Sequence, residues 1–133
     1  MNKFAILICL FSAYINATEL KYIEVNGSNI NKFKLVISSG PVGGLYKPGI
    51  NTFSIRFPLL NEFGKFCGAT IVTLENSVAV AQAETDYRRN SKNERGEFDI
   101  FFNKGSNIDQ HILLNYGCEN GLPKILRIQA GNL

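Results

Sequence analysis

Lys47–Phe57, KPGINTFSIRF, is the stretch on which the fold turns. Pro48 presets its own φ and Gly49 relieves the turn that follows. Beyond them Phe53, Ile55 and Phe57 alternate with Thr52, Ser54 and Arg56, the period of two that puts one face of a strand in a core and the other in water. Pro58 lacks the N–H that continued pairing needs, and NEFGK (61–65) turns the chain back into FCGATIVTL (66–74).

Outward from this stretch the same period recurs. Phe33, Leu35 and Ile37 share a face in KFKLVIS, Phe98, Ile100 and Phe102 in EFDIFF, and Ile112, Leu114, Tyr116 and Cys118 in HILLNYGC. KILRIQA sets Leu126 and Ile128 against Ile125 and Arg127. In FCGATIVTL two interleaved sets compete, Cys67, Ala69 and Ile71 against Phe66, Thr70, Val72 and Leu74, so its inward face stays open. SVAVAQAETDY (77–87) reads as a strand with an irregular end, although its alanines also suit a helix. No segment sustains helical spacing. Turn signals separate the strands at the intervals of a β-sandwich, so the expected fold is all-β, an Ig-like antiparallel β-sandwich of about seven strands.

The first residues, MNKFAILICLFSAYINA, place Lys3 before the apolar run Phe4–Phe11, which is followed by Ser12, Ala13 and a small residue at Ala17. That is the order of a cleaved signal peptide over 1–17, leaving 18–133 as one domain, secreted or periplasmic. The apolar run is shorter than the roughly 20 residues a membrane span requires, and no later segment reaches that length. No membrane insertion is expected after cleavage. A formal charge of +3 over 133 residues is too small to point to nucleic acid.

Cys67 and Cys118 remain after cleavage, and in an oxidising compartment such a pair is expected to bridge. Parity places each beside apolar residues, so the bridge is expected to join adjoining strands and to point toward the core.

KPGINTFSIRF, NEFGKFCGATIV, GEFDIFF and HILLNYGCENGLPKILRI follow one another over residues 33–129 in an order that resembles the FixH-like and YtkA-like family of small exported Ig-like domains. The resemblance implies an Ig-like sandwich with an accessory role in the envelope. Some members lie beside copper or oxidase-assembly functions, but this chain has one Met, at position 1, and a single histidine, His111. Copper requires several thioether or imidazole ligands, so neither metal nor cofactor is carried across. Tyr116-Gly117-Cys118 is also similar to the tyrosine corner of antibody domains, but the chain has no Trp, and Tyr116 is read as a core aromatic.

No catalytic residue is assigned. His111 has no serine in a nucleophile-elbow setting, no Cys-x-x-Cys is present, and the glycines of SSGPVGGLYKPG (38–49) lack the Lys-Ser/Thr of a phosphate loop. Interest falls instead on DYRRNSKNERGE (86–97), where Tyr87, Arg88, Arg89, Lys92 and Arg95 interleave with acidic residues as in a binding loop on a rigid scaffold. The expected function is an exported non-enzymatic module that meets another envelope or extracellular protein through loops 86–97 and 38–49. The rival readings are a small-ligand or metal-handling carrier and a secreted inhibitor of an enzyme.

Overall fold

The computed structural model describes residues 21–40, 51–103 and 106–133. The expected signal peptide over 1–17, the expected turn at Pro48–Gly49 and most of the expected loop 38–49 lie outside the described residues. Among the described residues ten strands run in order: β1 (Tyr22–Glu24), β2 (Val36–Ser39), β3 (Asn51–Pro58), β4 (Leu60–Asn61), β5 (Gly64–Glu75), β6 (Val78–Thr85), β7 (Arg88–Asn90), β8 (Arg95–Phe102), β9 (Ile108–Tyr116) and β10 (Lys124–Gln129). Of these, β1, β4 and β7 have three residues or fewer and the others four or more.

The strands form two sheets. One runs β1-β10-β9-β5-β4, with β6 also paired to β5; the other runs β2-β3-β8-β7. The all-β sandwich is therefore as the alternation predicts. One sheet is not wholly antiparallel, however: β1 lies parallel to β10, Tyr22 opposite Ile125. Three residues of β1 add little length, so sequence periodicity gave no sign of their partner or direction.

The core fills the space between the sheets. From β3 and β8 come the neighbours Phe53 and Ile100, then Ile55 and Phe98; from the opposite sheet come Ala69, Ile112, Leu114, Tyr116, Leu126 and Ile128. Removing each large side chain of this set from water contributes about 1.5–3 kcal/mol, which is what makes the alternating pattern decisive. Phe33 and Leu35 are buried too, but not on the expected strand. Residues 27–34 are a run of turns, Lys34 at its end takes a left-handed φ of 56°, and β2 begins only at Val36. Asn26 accounts for the difference: its side-chain oxygen accepts from the Ser28 backbone N–H at 2.9 Å, fixing a turn ahead of the strand.

Pro58 ends β3, and after Leu59 the chain passes to the other sheet as β4. The NEFGK turn forms there, held by the Phe63 N–H on the Asn61 side-chain oxygen at 2.8 Å. SVAVAQAET resolves as strand β6 with an irregular register near its start.

The ambiguity of FCGATIVTL has a structural answer. Phe66 lies opposite Tyr116 and Gly68 opposite Asn115, so Cys67 is the extra residue of a β-bulge. The bulge resets parity, allowing Phe66 on one side of it and Ala69 and Ile71 on the other to pack against the core. Cys67 is thereby turned to the surface. Gly117, at φ 74°, ends β9 and leads Cys118 into an exposed 3-10 turn. The two cysteines do form a disulfide, with Cα atoms 6.2 Å apart, and β5 and β9 are neighbours as expected. The expected inward direction is corrected: both cysteines are exposed, because the bulge and the left-handed glycine each break the parity on which that direction rested.

Candidate functional site

DYRRNSKNERGE folds as a hairpin rather than an open loop. Arg88, Arg89 and Asn90 of β7 pair with Glu97, Gly96 and Arg95 of β8, and the turn between them is closed in part by the Lys92 N–H on the Asn90 side-chain oxygen at 3.1 Å. Glu94 completes the turn at φ 51°. Hairpin pairing gathers charges that are spread along the sequence: Arg88, Arg89, Lys92 and Arg95 line one open groove of about 630 Å³.

Arg56 of β3 joins them. Alternation places Arg56 on the polar face of its strand, but which strand lies beside it is a matter of tertiary pairing, and the register sets it against Glu97. Sequence reasoning therefore missed this fifth cation although its outward direction was readable.

Glu97 is the one carboxylate lining the groove, and it is already engaged. It accepts a hydrogen bond from the Ser54 hydroxyl at 2.6 Å and lies 3.5 Å from Arg56 and 3.6 Å from Arg88. The Ser54 hydrogen bond, with the two guanidiniums, holds its carboxyl below the usual 4.5 against the opposing effect of burial. Arg88 also reaches Asp99 at 3.0 Å. Two carboxylates thus balance Arg56 and Arg88. Arg95 donates to the Lys34 carbonyl at 3.0 Å, which orients it without neutralising it. Arg89 and Lys92 have no carboxylate within ion-pairing distance among the described residues, so the groove keeps a positive excess on its hairpin side.

Tyr87 does not share this site. Its ring stands edge-on to Phe66 at 5.1 Å and to Phe57 at 5.7 Å, closing the core where β6 gives way to β7. Its apolar body is drawn to the aromatic cluster, and the residue is half a structural plug. His111 is half-buried in β9, its Nε2 3.6 Å from Asp109. Among the described residues no three His, Cys, Asp or Glu side chains gather as a metal site. What the groove can do chemically is bind anions. Guanidiniums offer planar pairs of donors to carboxylates, sulfates or phosphates.

No protein-family model, curated protein or solved structure matches the chain.

Proposed function

We propose that the chain is an exported, non-enzymatic accessory domain of Ig-like form, which docks through the β7–β8 hairpin onto an acidic surface of another envelope or extracellular protein. The observation that carries this reading is the convergence of Arg88, Arg89, Lys92, Arg95 and Arg56 around a groove whose single carboxylate is already bound. Such a surface attracts an acidic partner at long range and fixes it at short range by charge-assisted hydrogen bonds. The hairpin already orders the backbone that carries these side chains, so docking costs their rotamer freedom and not that of the chain.

The strand order supports the Ig-like reading. β3-β8-β7 stand as the B, E and D strands of such a domain, and β10-β9-β5 as G, F and C, with β6 extending the second sheet beyond C. The disulfide departs from that pattern, since it joins neighbours in one sheet instead of crossing between sheets. The FixH-like and YtkA-like kinship belongs to this proposal at the level of fold, and export follows from the leader pattern of residues 1–17.

The test is capture of partners from envelope extract and from culture medium, with the wild type and an Arg89→Glu/Lys92→Glu variant as baits in parallel. An acidic protein retained by the wild type, released as salt is raised and absent from the variant, is the expected result. A partner retained equally by both baits would overturn the assignment of the groove.

A further inference from the structure

The turn that delays β2 also contains a chemical motif. β1 keeps its pairing with β10 through Val25, whose N–H donates to the Arg127 carbonyl at 2.9 Å, and the chain then leaves the sheet through Asn26-Gly27-Ser28. This is an Asn-x-Ser triplet with no proline in the middle, the acceptor pattern for N-linked sugar in an exported chain. Of the asparagines in the sequence, only Asn16 and Asn26 have Ser or Thr two places on. Asn16-Ala17-Thr18 spans the expected cut after Ala17, so Asn26 heads the one triplet that lies wholly within the expected mature domain.

The fold leaves that triplet open. Asn26, Gly27 and Ser28 are all exposed, and a Cβ built on Gly27 would meet nothing within 4 Å. The turn also sorts the two ends of the Asn26 carboxamide. Its Oδ1 accepts from the Ser28 N–H at 2.9 Å, from the Ser28 hydroxyl and from the Asn29 N–H at 3.2 Å, whereas its Nδ2 donates to no group among the described residues. With the oxygen held inside the turn, the nitrogen is left for an incoming group, and donors on the oxygen polarise the carboxamide so that its N–H is more acidic. The turn does not need Nδ2 to hold its shape. Asn29 secures it instead, its Oδ1 accepting from the Asn26 N–H at 2.8 Å and its Nδ2 donating to the Glu24 carbonyl at 2.7 Å. A substituent on the Asn26 Nδ2 therefore breaks no hydrogen bond of the fold.

We infer that Asn26 is an N-glycosylation site, an inference that rests on the reading of the chain as exported and narrows it to a secretory route that holds an oligosaccharyl transferase. In the transfer, Nδ2 attacks the anomeric carbon of a sugar carried as its lipid pyrophosphate. The N–C bond forms and the C–O bond to the pyrophosphate breaks. The lipid pyrophosphate leaves with the electron pair, and Nδ2 gives up one proton to a base of the transferase. The sugar stands just past β1, an outer strand of its sheet, where a bulky hydrated group hinders the addition of another strand. It leaves the cationic groove clear, because Asn90 and Asn93 of the β7–β8 hairpin are followed two places on by Lys92 and Arg95.

Expression of the full chain in a eukaryotic secretory host, with recovery of the product from the medium, tests the inference. Intact-mass analysis before and after peptide N-glycosidase treatment should show a sugar that the enzyme removes, and release in heavy-oxygen water should mark Asn26 as its position. The heavy label separates enzymatic release from spontaneous deamidation of Asn26-Gly27. Ser28→Ala, which keeps the backbone N–H and removes only the hydroxyl, should abolish the sugar, and Ser28→Thr should retain it. A leader-cleaved product in the medium without sugar, or a sugar that persists in Ser28→Ala, would overturn the site while leaving export standing. A product kept inside the cell with its leader intact would overturn site and export together.

Discussion

The Tyr116 hydroxyl donates a hydrogen bond to the Pro58 carbonyl at 2.8 Å, tying the last residue of β9 to the last residue of β3 across the two sheets. Both groups need the contact. Pro58 closes its strand where the chain leaves one sheet for the other, and Tyr116 is fully buried, so neither oxygen has water as an alternative partner. The bond differs from a tyrosine corner, which reaches back only a few residues along the chain; this one spans 58 positions. The Tyr116 ring meets the Phe66 ring edge-on, their centroids 5.5 Å apart.

Tyr116→Phe should therefore lower stability by about 1–3 kcal/mol through an unsatisfied buried carbonyl, with partner binding unchanged. Urea unfolding of both forms measures this. The pH dependence gives a second handle. Burial pushes the Tyr116 hydroxyl well above its ordinary 10.0, so the unfolded chain releases this proton before the folded one does. Its contribution is fully present below about pH 10 and is lost as pH rises toward the folded value, at up to about 1.4 kcal/mol per pH unit. Tyr116→Phe should flatten that part of the alkaline decline, and an unchanged alkaline slope would count against the assignment.

Glu97 carries the opposite dependence. Its carboxyl is held below the usual 4.5, first by the Ser54 hydroxyl and then by Arg56 and Arg88, so its stabilisation is present above the ordinary glutamate range and is lost as pH falls through the lowered folded value. NMR titration should show Glu97 protonating below the ordinary glutamate range. Glu97→Gln should release Arg56 toward solvent, leave Arg88 on Asp99 and remove this acid transition from the hairpin. Protonation of Glu97 at or above the ordinary 4.5 would contradict the network.

The legible part of this chain is the part written with period two. Phe53, Ile55 and Phe57, Phe98, Ile100 and Phe102, and Leu126 and Ile128 face inward as their alternation requires, because a one-residue slip would expose the whole set. The strand at Phe33 was misplaced because burial and pairing are separable: Phe33 enters the core from a turn and Leu35 from the residue ahead of β2. Arg88, Arg89, Lys92 and Arg95 were readable as a cluster since they are local in sequence. Arg56 was not, because its membership depends on the β3–β8 register. Tyr87 was assigned to the same loop on proximity alone, yet aromatic packing turns it to Phe57 and Phe66.

Gly96 shows how a register makes a demand that no pattern announces. It lies opposite Phe57, and a Cβ added to it would stand 2.3 Å from the Phe57 ring. The ring fills the space that any other residue's side chain would use. Gly96→Ala should force Phe57 from its place against Phe66 and Phe98 and lower stability by about 1–3 kcal/mol, the usual cost of overpacking. Thermal unfolding monitored by near-UV circular dichroism would report both effects, and an Ala variant as stable as the wild type would mean that the ring has room to move.

The exposure of Cys67 and Cys118 allows a sharper prediction for the disulfide than its pairing alone. A bridge directed into the core would be reached by a thiol reagent only as the domain opens, whereas this one stands at the surface on a bulge and a 3-10 turn. Mild reduction should therefore proceed in the folded protein, at a rate insensitive to small additions of urea. The bond closes a loop with a sequence separation of 51, for which chain entropy alone gives a stabilisation of about 4 kcal/mol. The reduced protein, and the Cys67→Ala/Cys118→Ala variant, should unfold at lower urea but retain β9 against β5, because Ala69, Ile112 and Leu114 hold those strands from the core side without help from sulfur. Thiol counting during native reduction, followed by urea titration of the product, separates the two effects. Reduction that keeps pace with global unfolding would mean that the bond is sheltered, and would restore the inward-facing arrangement that strand parity first suggested.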